Sequence, residues 1–286
     1  MKKYGYLLLL GIACLCNTSC TVLQWRKTDE AIQQKFKTEN INSEITYYKV
    51  DSLNLDIRIH EVKSQDNTVN LIFFHGSPSS LSAWENYMLD SKLLASANMY
   101  AIDRPGYGYS NFGKQLTSIS TQAQIMSAVI NKKVLDNVIV IGSSYGVPLA
   151  ARIAYLNKNV KALVMVSPAI DPENEKDIWA SRFTQWKLTR WLVPTAYRVA
   201  GDEKTVHAKE LEIIAKDWKK LQIPVLHFHG DVDDIVPFEN IHFSKENFNN
   251  IKVISVEGKG HEIAWKNPEI IMPYLVNLIE DIQTKK

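Results

Sequence analysis

The chain has 286 residues, 45% hydrophobic and 22% charged, enough for one large domain with a substantial core or one domain carrying an insertion. The formal net charge is +2, but without the first nineteen residues Lys plus Arg falls from 33 to 31, against 31 acids. A neutral chain gives no electrostatic case for nucleic acid or a polyanion as partner, and no stretch has the low hydrophobicity and high charge of disorder.

Lys2 and Lys3 precede an apolar run from Tyr6 to Cys16, the n-region and h-region of a secretion signal over residues 1–19. All three cysteines, Cys14, Cys16 and Cys20, lie in or just after it. The remaining chain therefore excludes a disulfide, a thiolate nucleophile and a Cys-ligated zinc. Cys20 closes CLCNTSC behind a small Ser19, which resembles the lipobox of a bacterial lipoprotein, although Asn17 stands where an apolar residue is usual. The resemblance implies lipidation at Cys20 and a membrane-anchored protein of the bacterial cell envelope. A cleaved, soluble secreted or periplasmic protein and an uncleaved anchor are the alternatives. The run is short for a spanning helix of about 20 residues, which weighs against the last.

Residues 20–44 are polar and mixed, and read as a tether with a short helix. A regular rhythm then begins. ITYYKVD (45–51) and LDIRIHEV (55–62) alternate apolar and polar residues like half-buried antiparallel strands. NLIFFHG (70–76) is more continuously apolar, as a buried parallel strand is. Helical spacing over 82–96 leads to a strand, NMYAID (98–103), closed by RPGYG. A helix over 121–133, a strand NVIVIG (137–142), a helix over 147–156 and a strand VKALVMVS (160–167) follow. The rhythm lapses over about 169–222, which is rich in tryptophan and charge and reads as a helical insertion. It resumes with VLHFHG (225–230), IKVISVEG (251–258) and a last helix over about 268–283. Such alternation predicts an α/β fold, a mostly parallel sheet with helices on both faces.

In VIVIGSSYG, Ser144 stands between Gly142 and Gly146 where a buried strand gives way to a helix. That is the setting of a nucleophile elbow, in which small residues let a sharp turn raise the hydroxyl above the sheet. A serine hydroxyl needs a base. Of seven histidines, His261 follows GKG directly after a strand, in a loop free to reach across the sheet edge. His227 and His229 alternate along one strand, have no evident third metal ligand, and read as packing residues. The base needs an orienting carboxylate, and GDVDDIVP (230–237) offers Asp231, Asp233 and Asp234, with Asp171 a weaker candidate. HGSPSS (75–80) ends another strand and is expected to present the Ser77 amide beside that of Tyr145 as an oxyanion hole.

Five ordered segments, FFHGSP, DRPGYGYS, GSSYG, HGDVDDIVP and GKGH, together resemble the α/β-hydrolase superfamily over residues 45–283. The resemblance implies a central sheet of about eight strands, with a helical cap inserted after the sixth. It implies Ser144 as nucleophile, His261 as base, Asp233 as the acid three residues after the strand-end glycine, and the Ser77 and Tyr145 amides as oxyanion donors. Related epoxide and haloalkane hydrolases carry aspartate at the elbow, and Ser144 argues against those chemistries. The expectation is an enzyme, a serine hydrolase of a carboxylic ester or related acyl bond, needing no metal or organic cofactor. An amide, peptide or carbon–carbon bond suits the same three residues, and a binding protein on this fold is the non-enzyme alternative. In 178–192, Trp179, Phe183 and Trp186 recur at i, i+4 and i+7, the spacing of one helical face. That stripe either packs the insertion onto the core or lines the mouth above Ser144 for an acyl chain or ring.

Overall fold

The computed structural model describes residues 25–176 and 181–284. Eight strands form one sheet: β1 Ser43–Val50, β2 Leu55–Val62, β3 Asn70–Phe74, β4 Asn98–Ile102, β5 Val138–Ser143, β6 Val160–Val166, β7 Val225–Gly230 and β8 Ile251–Val256. Their order is β1-β2-β4-β3-β5-β6-β7-β8. β2 pairs antiparallel with β1 and with β4, and every other pairing is parallel. All eight strands read from the sequence are present, because each is a compact run, apolar or alternating, closed by turn residues.

Two cores sandwich the sheet, and β5 shows why its sequence is apolar without alternation. Val138 and Val140 face one core, while Ile139 and Ile141 face the other. A strand of period two that is covered on both sides has no solvent face to carry polar residues. Ile119–Lys132 and Gly146–Leu156 cover the first side, and Pro268–Thr284 helps cover the second.

The N-terminal helix Asp29–Thr38 is more than a tether. Thr28 caps it, accepting from the Ala31 amide at 3.2 Å, and acidic residues in its first turn and lysines in its last suit the helix dipole. It buries Ile32 and Phe36, and Phe36 meets the His60 ring edge-on at 4.4 Å. Asp29 also pairs with the buried Arg58 at 2.6 Å. Hence β2 is buried along almost its whole length rather than on alternate residues.

Between β6 and β7 run the short helix Arg182–Gln185 and the long helix Thr195–Ala215. Among the described residues the single helical face expected over 178–192 does not continue to Trp186. The helix stops after Gln185, where Trp186 turns to extended backbone, and residues 177–180 with Trp179 lie outside the described residues. Among the described residues no helix is long and apolar enough to cross a membrane. Residues 1–24, over which the signal and Cys20 lipidation are expected, also lie outside them.

Buried histidines are expected to make the fold sensitive to acid. Burial pushes His60 down to about 4, and pushes His75 and His227 well below the ordinary range, with Arg104 adding to the effect at His75 and His229 at His227. All three are neutral when folded but take up protons below about pH 6.5 when unfolded. The unfolded state then binds more protons, so stability falls as pH falls. The three together are expected to lower stability progressively as pH falls below about 6.5. Denaturant melts at pH 7, 6 and 5 measure this, and an acid limb that begins only below pH 4.5 contradicts it.

Candidate active site

The site grows from the C-terminal ends of β3, β5, β7 and β8, where the loops of a parallel sheet converge. At the end of β5, Ser144 adopts φ +53°, a left-handed conformation that costs a serine energy and marks a strained turn. Its amide donates to Val166 O at 2.9 Å, and its carbonyl accepts from Val147 N at 3.0 Å, so the turn is held from both sides. The flanking glycines are there for space. A Cβ on Gly146 falls 2.4 Å from Phe74 O, and one on Gly142 falls 2.5 Å from Gly146 O. Ser144 itself is only half-buried, which leaves its hydroxyl accessible.

The loop after β3 lies directly against this turn, for a Cβ on Gly76 sits 3.1 Å from Ser144 Cβ. Ser77 follows Gly76 there, while Tyr145 follows Ser144 at the start of the helix Gly146–Leu156. The structure therefore brings the Ser77 and Tyr145 segments to the two sides of Ser144.

His261 and Asp233 meet across the ends of β7 and β8. Gly230 makes this possible, since any Cβ there lies 2.0 Å from Lys259 O, so the loop carrying His261 rests on the β7 backbone. His261 Nδ1 and Asp233 Oδ2 are 2.8 Å apart. The other carboxylate oxygen accepts from the Ile235 and Val236 amides, each at 2.9 Å. Burial pushes the Asp233 carboxyl up, but the His261 contact and these two amides outweigh it and leave it below the ordinary range. An ionised carboxylate only accepts, so His261 Nδ1 carries the proton and Nε2 is free to act as a base. Asp171 is engaged elsewhere, accepting from the Glu173 amide and the Asn174 side chain. Asp231 accepts from the Gly258 amide on the surface. His227 and His229 are buried and hydrogen-bonded to each other at 3.1 Å, and His229 Nε2 donates to Val236 O at 3.2 Å.

A cavity of about 720 Å³ lies between Ser144 and the segment that joins β6 to β7. Phe183, Leu192, Val193, Pro194, Tyr197 and Ile235 give it apolar walls. Of the expected stripe only Phe183 reaches it among the described residues; Trp186 is 63% exposed and lies outside.

One group of residues has no counterpart in the sequence reading. Glu203, from the helix Thr195–Ala215, is 1% exposed and pairs with the fully buried Arg104 at 2.6 Å. The same carboxylate accepts from Ser77 Oγ and Tyr107 OH, each at 2.7 Å. Arg104 in turn donates to His75 O at 2.9 Å and Gly76 O at 3.2 Å. Burial works against the Arg104 charge, and Glu203 more than offsets it, so the guanidinium stays charged. Glu203→Ala leaves that cation buried and unpaired, which is expected to cost about 3–5 kcal/mol of stability in a urea melt. Glu203→Gln, which keeps hydrogen bonds without the charge, should cost less. A loss below 1 kcal/mol for the alanine variant contradicts the pairing.

Residues 69–191 match a family described as alpha/beta hydrolase fold. The AB hydrolase superfamily protein YisY of Bacillus subtilis is 24% identical over 242 residues, which are 70% of this chain and 88% of that protein. Among solved structures, a membrane phospholipase A described as a bacterial virulence factor is similar at a TM-score of 0.65, with 18% identity and 99% of each chain covered. An esterase from Exiguobacterium antarcticum is similar at 0.64, with 20% identity over 82% of this chain and 99% of that one. The chain thus has the α/β-hydrolase fold, and the family match and the curated relative support a hydrolase enzyme.

Proposed function

We propose that the chain is a serine hydrolase that cleaves a carboxylic ester or related acyl bond through an acyl-enzyme. The observation that carries this reading is the 2.8 Å pairing of His261 with Asp233 beside the cavity that Ser144 also lines. His261 Nε2 takes the proton as Ser144 Oγ attacks the carbonyl carbon. The Ser77 and Tyr145 amides stabilise the oxyanion, a contribution of about 3–4 kcal/mol for one such donor. His261 then gives the proton to the departing alcohol, and water repeats the sequence on the acyl-enzyme. The similarity to an esterase and to a membrane phospholipase A supports an acyl ester as substrate. The segment between β6 and β7 serves as a cap, and its apolar cavity takes the acyl chain. No metal or organic cofactor enters these steps. Fluorophosphonate labelling followed by peptide mapping tests the reading. A label on Ser144 with hydrolysis of an ester panel supports it, and a label on any other residue overturns it.

The same reading includes an N-terminal lipid anchor. Lys2, Lys3, the apolar run and Cys20 support a lipoprotein held at a bacterial membrane. Cys20→Ser is expected to move the protein from the membrane to the soluble fraction, because the thiol is the lipidation point. An unmodified residue 20 in mass spectra of the mature protein refutes lipidation.

A further inference from the structure

Ser144 stands at the junction of two cavities. The second, of about 650 Å³, lies between the N-terminal segment and the loop after β3. Ser77, Pro78, Ser144, Tyr197 and Ile235 line both, so the two are lobes of one cleft divided at the serine. His261 lines only the second lobe among the described residues.

That asymmetry has a chemical meaning if the serine-hydrolase reading holds. The imidazole that removes the serine proton returns it to the leaving group. The leaving oxygen must therefore lie within about 2.6–3.2 Å of His261 when it departs. The alcohol part of the substrate then occupies the lobe that His261 faces, while the acyl part, left on Ser144, occupies the apolar lobe under the insertion.

The walls of the His261 lobe carry more positive charge than those of the other, where Lys176 and Lys204 stand with Glu175 and His207. The His261 lobe is lined by Trp25, Arg26, Lys27, Lys35 and Trp265, with Glu85 as the one carboxylate among the described lining residues. Glu85 is buried and shared by Lys27 at 2.8 Å and Lys35 at 2.7 Å, so one carboxylate faces two ammonium groups. Arg26 lies over the Phe112 ring at 4.1 Å and the Tyr109 ring at 4.7 Å, with a long contact to Gly108 O at 3.4 Å. Among the described residues no carboxylate pairs with it. These cations are held in place, since Arg58 donates to Lys27 O at 3.0 Å and the Trp25 indole donates to Tyr197 OH at 3.3 Å. Fixed positive charge in a half-enclosed lobe attracts an anion more strongly than the same charge in open water.

We infer that the N-terminal segment builds a leaving-group subsite for an anionic alcohol, so that the preferred substrate is an acyl ester whose alcohol carries a phosphate or similar anion. The acyl chain lies beneath the insertion, and the anion lies against Arg26, Lys27 and Lys35.

The test uses the full chain in a neutral detergent with two matched substrates, octanoyl glycerol and octanoyl glycerol 3-phosphate. The readout is the ratio of their kcat/KM values. The native chain is expected to favour the phosphate ester about 10-fold. The preference should shrink in 0.5 M salt, which shortens the screening length below about 5 Å. Arg26→Gln should bring the ratio toward one. Arg26 is the informative variant because, among the described residues, its loss strands no buried carboxylate, and a thermal melt checks that it folds. A native ratio near one, or a ratio that Arg26→Gln leaves unchanged, overturns the inference. Neither outcome bears on the nucleophile, because loss of octanoyl glycerol hydrolysis in Ser144→Ala reports on that separately.

Discussion

Alanine at Ser144 is expected to abolish fluorophosphonate capture and to lower kcat by about a million-fold, and alanine at His261 should cost nearly as much. The two groups act as one device. Without the hydroxyl there is nothing to deprotonate, and without the imidazole the hydroxyl stays a poor nucleophile. The double variant should therefore be hardly slower than either single one, a non-additivity that independent residues do not show. Folding should survive, because alanine keeps the backbone of the turn and removes one oxygen from a half-buried position. Circular dichroism and burst kinetics on a chromogenic ester provide the check. Labelling that persists in Ser144→Ala, or strictly multiplicative losses, contradicts the assignment.

Asp233→Asn should lower kcat by about 10⁴-fold while leaving the protein folded. The structure gives the reason atom by atom. One Asp233 oxygen accepts from two backbone amides, those of Ile235 and Val236. An asparagine must keep its carbonyl oxygen there, which turns its NH₂ toward His261 Nδ1. A donor facing Nδ1 forces the imidazole proton onto Nε2, and the nitrogen that should take the serine proton is then already protonated. Asp171→Asn and Asp231→Asn should have small effects, since neither carboxylate meets His261. A larger loss for Asp171→Asn than for Asp233→Asn overturns the placement. The comparison needs only kcat for the three variants on one ester.

What was legible in the sequence was what local pattern controls. Strands covered on both faces are unbroken apolar runs and the edge strands alternate, so all eight could be read with errors of a residue or two. The turn at Ser144 was legible because glycines 142 and 146 are required by contacts with their own neighbours in space. The meeting of Asp233 and His261 was not, since three aspartates crowd one loop and only the fold selects among them; the family resemblance supplied the choice. Helix Asp29–Thr38 was undervalued because it offers only Ile32 and Phe36 as apolar anchors, and its docking depends on Arg58 and His60 in a distant strand. The stripe over 178–192 misled because spacing alone does not reveal where a helix stops. Glu203 was hidden by its company in a charged helix, and its partner Arg104 is 99 residues away. Yet Val199, Glu203, His207, Leu211 and Ile214 share one buried helical face. Two ionisable residues on an apolar stripe are the signal that could have found this cluster.

The Glu203–Arg104 contact limits how this enzyme can be altered by recombination. A donor loop grafted between β6 and β7 to change substrate preference removes the carboxylate that neutralises Arg104, and with it an anchor of the Ser77 side chain. Chimeras that ignore this should be unstable and slow whatever their new pocket fits. Those that carry an acid at the Glu203 position, or that exchange Arg104 in the same step, should exchange specificity while keeping the chemistry. In this fold the boundary of the interchangeable module therefore lies at a charge pair inside the protein, not at the two points where the chain enters and leaves the sheet.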